Sequence, residues 1–111
     1  MEYDCSDREG ILLISTFPDE ESLNNLSKIV VLEKRICACV NYALVKSIYE
    51  WKSNFHKEDE FLAFFKTTGD HIDRLKNELQ NNHPYEVPEM VIIRMNDVSH
   101  DYLEWMYNST H

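Results

Sequence analysis

Sixteen consecutive residues, Ile36 to Trp51, run without a glycine or proline and are crowded with Ile, Val and Tyr. Such side chains fit the pleated surface of a sheet, so the run predicts one long strand, or a strand bent at a bulge. At about 3.3 Å per residue it would reach roughly 53 Å if straight. A compact domain of this chain length is only about 34 Å across. The strand therefore bends, or it projects from the body and pairs with another chain.

The remaining segments supply partners for it. Ile11 to Phe17, ILLISTF, is short, apolar and bounded by Gly10 and Pro18, as expected of a strand buried on both sides. Asp19 can then cap a helix whose apolar positions Leu23, Leu26 and Val30 recur at helical spacing through to Lys34 and Arg35. Lys52 to Asn54 reads as a turn, with Asn54 in the left-handed conformation, and Glu60 to Thr67 as the returning arm. Gly69 stops that arm, Asp70 caps a second helix carrying Ile72, Leu75 and Leu79, and Asn81-Asn82 ends it. His83 to Pro88 holds two prolines and is neither helix interior nor central strand. Met90 to Met95 is again a strand, and Ser99 caps a terminal helix with Tyr102, Leu103, Trp105 and Met106. The order is βαββαβ plus a helix, an α+β ferredoxin-like sandwich. Residues 1–10, with Glu2, Asp4, Asp7 and Glu9, are expected to be a flexible acidic leader, and residues 11–111 a single domain.

Charge and composition narrow the function. Twenty acidic against 11 basic residues leave a net charge of −9, which repels phosphate backbones and anionic membranes and tolerates cations. Nucleic acid and membrane are therefore not expected partners. With only Gly10 and Gly69 in the chain, no glycine-rich loop can wrap a phosphate. Cys5, Cys37 and Cys39 form no CxxC pair and leave an odd thiol, and the first residues lack a charged-then-apolar signal, so a reducing cytoplasm is expected.

Several strings then fall into a familiar order. Ile36-Cys37-Ala38-Cys39-Val40-Asn41, Ser47-Ile48-Tyr49-Glu50-Trp51, Glu60 with Lys66-Thr67, His83 to Glu89 (HPYEVPE) and Tyr102-Leu103-x-Trp105 resemble the ordered motifs of the CutA divalent-cation tolerance family. The resemblance covers Ile11 to Thr110. It implies a ferredoxin-like homotrimer whose long hairpin strands pair between subunits, similar to PII-type signalling proteins, with a cytoplasmic role in tolerance of copper and other divalent metals. Two departures stand out: Ser53-Asn54 occupies a turn where the family usually has Gly, and Cys37 joins the family cysteine Cys39 as an added thiol.

Three functional readings follow. In the first, copper(II) or another divalent ion is bound, loosely or tightly, by Cys39, His83 and Cys37, with a carboxylate such as Glu60 or Glu86; thiolate suits copper(I) and imidazole suits copper(II) or zinc. No local spacing fixes such a site, so the ligands must converge across the fold or across subunits. The competing reading makes Cys39 a packed thiol and His83 a loop imidazole bonded to backbone; His56, His71, His100 and His111 read as solvated. In the second, strand periodicity puts Glu60, Leu62, Phe64 and Lys66 on one face, and Tyr49, Trp51, His83, Tyr85 and Glu86 join Glu60 and Lys66 in an intersubunit cleft. That set serves a small-ligand regulatory module, or else a salt bridge and aromatic packing that fix trimer register. The third, catalysis, has no nucleophile motif behind it, and no enzyme activity is expected; an unidentified protein partner remains compatible with a sensor role.

Overall fold

The computed structural model describes residues 8–111; the expected leader lies, up to residue 7, outside the described residues. Strand β1 spans Gly10–Phe17, helix α1 Glu20–Lys28, β2 Cys39–Trp51, β3 Asn54–Thr68, α2 Ile72–Asn82, β4 Val91–Arg94 and α3 His100–Ser109. The strands form one antiparallel sheet in the order β2-β3-β1-β4, the ferredoxin-like arrangement that the element order predicts. Gly10 opens β1 rather than closing the leader, and the Gly69 amide donates to the Glu9 carbonyl at 2.9 Å.

The core lies on one face of the sheet. Ile11, Leu13 and Phe17 of β1 and Ala63 and Phe65 of β3 meet Leu23, Leu26 and Val30 beyond them, and Ile72, Leu75 and Leu79 of α2. Alternate residues of β1 are only half-buried, so this strand has one covered face where two were expected. The other face carries no helix from α1 or α2. It presents Phe64, Val91 and Ile93, which are 37%, 45% and 45% exposed.

Asp19 caps α1 as expected, its Oδ1 accepting the Ser22 amide at 2.7 Å. The helix then widens into a π-turn, Ile29–Glu33, closed by the Lys34 amide on the Ile29 carbonyl at 2.8 Å. Arg35 takes a positive φ of 53°, and the Val30 carbonyl accepts both the Ile36 and Cys37 amides. Those bonds turn Ile36 to Ala38 into the core, so the long strand begins at Cys39, three residues later than its composition suggests.

The hairpin projects rather than bends. Pairing advances without a bulge from Cys39↔Lys66 to Trp51↔Asn54, and the molecule measures 44 × 26 × 26 Å. Lys52 and Ser53, at φ 53° and 67°, form the two-residue turn; Asn54 opens β3 instead, its side-chain Nδ2 donating to the Lys52 carbonyl at 3.4 Å. The returning arm extends to Asn54 because the polar run ahead of Glu60 pairs with β2, with Lys46 on Asp59 at 2.8 Å and Tyr49 on Glu58 at 3.0 Å. Two expected caps also differ. His71, not Asp70, is the N-cap of α2, and Ser99 caps α3 without a side-chain hydrogen bond. Among the described residues no helix is long and apolar enough to cross a membrane.

Candidate functional site

Strand β4 is short and pairs only with Ile11 to Ile14, leaving the β1 edge from Ser15 to Phe17 to the chain that follows α2. Prolines 84 and 88 keep that chain extended, and it crosses the edge from the core face to the open face. His83 anchors it on the core side. The imidazole stacks on Phe17 with centroids 4.3 Å apart, and its Nε2 lies 3.1 Å from Ser15 Oγ. The Tyr85 amide donates to His83 Nδ1 at 3.1 Å. That bond makes Nδ1 an acceptor, places the ring proton on Nε2 and directs it at Ser15. Burial holds the imidazole below its ordinary value, so the ring is neutral near pH 7.

Two residues on, the side chain reaches the open face. The Tyr85 hydroxyl donates to Glu60 Oε2 at 2.6 Å, and Glu60 is only 8% exposed. Burial, that hydrogen bond and the Glu60 charge raise the Tyr85 phenol well above its ordinary value. A charge-assisted bond of this kind stabilises a carboxylate held largely out of water.

Between this loop and the hairpin lies a cleft of about 610 Å³. Tyr49, Trp51 and Tyr85 form aromatic walls, Glu60, Glu86 and Glu89 supply carboxylates, and among the described residues no basic one lines it. Its charge suits a cation, and its aromatic faces add attraction for one. The structure thus gathers Tyr49, Trp51, Glu60, Tyr85 and Glu86 within one chain, where a cleft between subunits was expected. His83, which stays on the core side, is not among them, and neither is Lys66. It sits at the far end of β3 opposite Cys39, roughly 20 Å along the strand from Glu60, and its ammonium is 3.4 Å from the Tyr102 hydroxyl. Thr16, Ser47, Ile48, Val87 and Glu89 complete the lining and escaped the sequence reading. Ser47 was within reach of it, because it shares the two-residue period of Tyr49 and Trp51.

The thiol and imidazole candidates do not meet within one subunit. Cys39 pairs with Lys66, whereas His83 lies against Ser15 and Phe17. Cys37 is buried, its thiol donating to the Cys39 and Lys66 carbonyls at 3.4 Å each, and burial pushes its pKa up to about 12. Such a thiol resists the deprotonation that ligation requires. Of the histidines expected to be solvated, His71 is 9% exposed. Its ring packs 4.6 Å from that of His111, and their junction with Asp70 groups three metal-ligand atoms within 4.8 Å of one another.

A sequence model of the CutA1 divalent ion tolerance protein matches residues 11–109. The chain belongs to the CutA1 family. It is 37% identical over 99 residues to the divalent-cation tolerance protein CutA of Thermotoga maritima, an alignment that covers 89% of this chain and 97% of that one. It is 35% identical over 100 residues to the Pyrococcus horikoshii protein of the same name, covering 90% and 97%. Among solved structures, CutA1 of Ehrlichia chaffeensis superposes with a TM-score of 0.89 at 28% identity, covering 96% of this chain and 99% of that one. CutA1 of Pyrococcus horikoshii gives 0.86 at 34%, covering 91% and 98%. The cleft, its crossing loop and the long hairpin all fall inside the segment matched to CutA1, and His111 falls just outside it.

Proposed function

We propose that this CutA1-family chain acts as a homotrimer that binds copper(II) or a related divalent ion at the acidic cleft, as part of the cell's tolerance of such ions. The observation that carries the reading is the cleft itself, with three carboxylates and, among the described residues, no basic side chain in its lining. Oxygen donors accept a range of divalent ions, and a half-exposed thiol at Cys39 adds a ligand for copper contributed across subunits. Two features support assembly. Strand β2 is an edge strand of 13 residues, and the open sheet face beside it is apolar. The family resemblance supplies the number three. Free thiols at Cys37 and Cys39 support a reducing, cytoplasmic setting.

The proposed role involves no turnover. Ser15 and His83 are within hydrogen-bond reach, but Ser15 is fully buried and His83 donates to it rather than accepting its proton. A PII-like small-ligand module is the second reading, favoured by the aromatic walls of Tyr49, Trp51 and Tyr85, and its ligand would be cationic.

Native mass spectrometry during copper(II) titration tests the assignment, with the Glu86→Gln/Glu89→Gln and Cys39→Ser variants alongside. A trimer that takes up a fixed three ions, fewer in the carboxylate variant, is the expected result. A smear of adducts unchanged in both variants would remove the specific metal site and leave the cationic-ligand reading.

A further inference from the structure

At the junction between the start of α2 and the end of α3, well separated in sequence from the cleft residues, Asp70, His71 and His111 bring their ligand atoms within 4.8 Å of one another. We propose that this junction is a second cation site, independent of the cleft, taking a borderline divalent ion such as zinc(II) through two imidazole nitrogens and one carboxylate oxygen. Nitrogen and carboxylate donors in this ratio suit zinc, copper(II) or nickel over calcium or magnesium.

Asp70 and His111 already have the hydrogen-bonded support of metal ligands. Thr68 Oγ1 donates to Asp70 Oδ1 at 2.6 Å, which leaves Oδ2 turned toward the histidines. His111 Nδ1 donates to the Tyr107 carbonyl at 2.6 Å while the ring stacks on Tyr107 with centroids 3.8 Å apart. Its Nε2 is thereby presented to Asp70 Oδ2, with which it is hydrogen-bonded. A backbone carbonyl on one ring nitrogen, with the other aimed at the ion, is the usual support for a metal-bound histidine. The independent observation concerns His71. Its Nε2 bonds the Thr110 carbonyl at 2.9 Å and lies 3.8 Å from Asp70 Oδ2, while its buried Nδ1 has no hydrogen-bond partner among the described residues. Ligation through Nδ1 would keep the Nε2 bond to the Thr110 carbonyl as the support of the ring, and ligation through Nε2 would replace that bond; either way, an unpaired polar atom buried here is destabilising.

Distances and charge agree. With metal–ligand bonds near 2.1 Å, tetrahedral ligands stand about 3.4 Å apart, so closing the present triangle takes shifts of about an ångström or so. The end of α3 directs its carbonyls here, a polarity that favours a cation, and Asp70 offsets the opposite polarity at the start of α2. On binding, the ion replaces the proton that His111 Nε2 donates to Asp70, and that proton leaves to solvent. Because the ligands are some 40 residues apart in sequence, the ion would clip the end of α3 to the body.

Zinc(II) alone, titrated into the full chain, is the probe, with the side-chain imidazole ¹⁵N resonances read by NMR. The expected result is that the His71 and His111 ring nitrogens both shift at one ion per chain, and that the Asp70→Asn and His111→Gln variants weaken this step about tenfold or more. The Glu86→Gln/Glu89→Gln variant should leave it intact, which separates this site from the cleft. His111 is partly exposed, and far-UV circular dichroism confirms that its variant keeps α3. Resonances of His71 and His111 that stay in place at saturating zinc, or a His71 resonance that moves equally in His111→Gln, would overturn the proposal.

Discussion

The Tyr85 hydroxyl lies 2.6 Å from Glu60 Oε2, joining a proline-bounded loop to the middle of the longest strand. Glu60 faces away from the core yet is nearly buried, because the loop lies over it. The bond therefore does two things at once: it satisfies the carboxylate and sets the wall of the cleft. Tyr85→Phe leaves Glu60 without its donor and should destabilise the chain by about 1–3 kcal/mol in urea unfolding. Adding Glu60→Leu to Tyr85→Phe should recover part of that loss, because no uncompensated charge then remains. Equal midpoints for wild type and Tyr85→Phe would show that water already satisfies Glu60.

The hairpin turn holds two non-glycine residues at positive φ, Lys52 at 53° and Ser53 at 67°. A side chain in that region is disfavoured by roughly 1 kcal/mol relative to glycine. Ser53→Gly should therefore raise stability by about 0.5–1 kcal/mol, read from the urea midpoint with an unchanged m-value. A lower midpoint would mean that the added freedom of the unfolded chain outweighs the relief.

The reach of sequence reasoning follows the range of the forces involved. Helices and core strands were legible because their apolar spacing reports burial directly, as at Leu23, Leu26 and Val30 or Ile72, Leu75 and Leu79. The strand start at Ile36 was misplaced because a single carbonyl, that of Val30, captures two amides, an event that composition does not encode. The first residues of β3 were missed because a projecting hairpin needs no apolar face, so charged residues such as Lys57, Glu58 and Asp59 sit in a regular ladder. Within the candidate cleft, period two correctly placed Glu60 and Lys66 on one face, but a shared face spans the length of the strand, and only one of them reaches the cleft. The Asp70, His71 and His111 junction was invisible for the same reason in reverse: residues far apart in sequence meet only after α2 and α3 dock.

His83 should make the crossing loop acid-sensitive. Its folded pKa is depressed by burial below the ordinary 6.5, so between those two values the unfolded chain binds more protons than the folded one. Its share of stability is complete above about pH 6.5 and falls as pH drops toward the folded value. The stability gap between wild type and His83→Gln, taken from urea midpoints, should shrink from pH 7.5 to pH 5. Parallel pH profiles for the two proteins would contradict this assignment of a neutral, buried ring.

Cys37 is 1% exposed and its pKa is pushed up to about 12. Roughly one molecule in ten thousand would carry its thiolate at pH 8, and the thiolate is the reactive form. Iodoacetamide at pH 8, followed by peptide mass mapping, should leave Cys37 unmodified in the native protein and modify it fully in urea. Native labelling of Cys37 on the timescale of the urea control would mean that the segment from Ile36 to Ala38 opens readily and that the thiol is free to act as a ligand.

Assembly can be tested on the open sheet face itself. Phe64 stands near the middle of that face, opposite Asn41 on β2 and Ile14 on β1, and is 37% exposed in the single chain. An isolated subunit tolerates a charge at such a position with little change in stability, since one side of it is open to water. An interface does not, because the buried carboxylate would lack a partner and would oppose its symmetry mates. Light scattering at micromolar concentration should give three times the 13.2 kDa chain mass for the wild type and a smaller, still folded species for Phe64→Glu. A wild-type mass of one chain would remove the trimer and with it the reason for the projecting hairpin. A Phe64→Glu protein that stays trimeric would move the interface off the sheet face and onto the free edge of β2 alone.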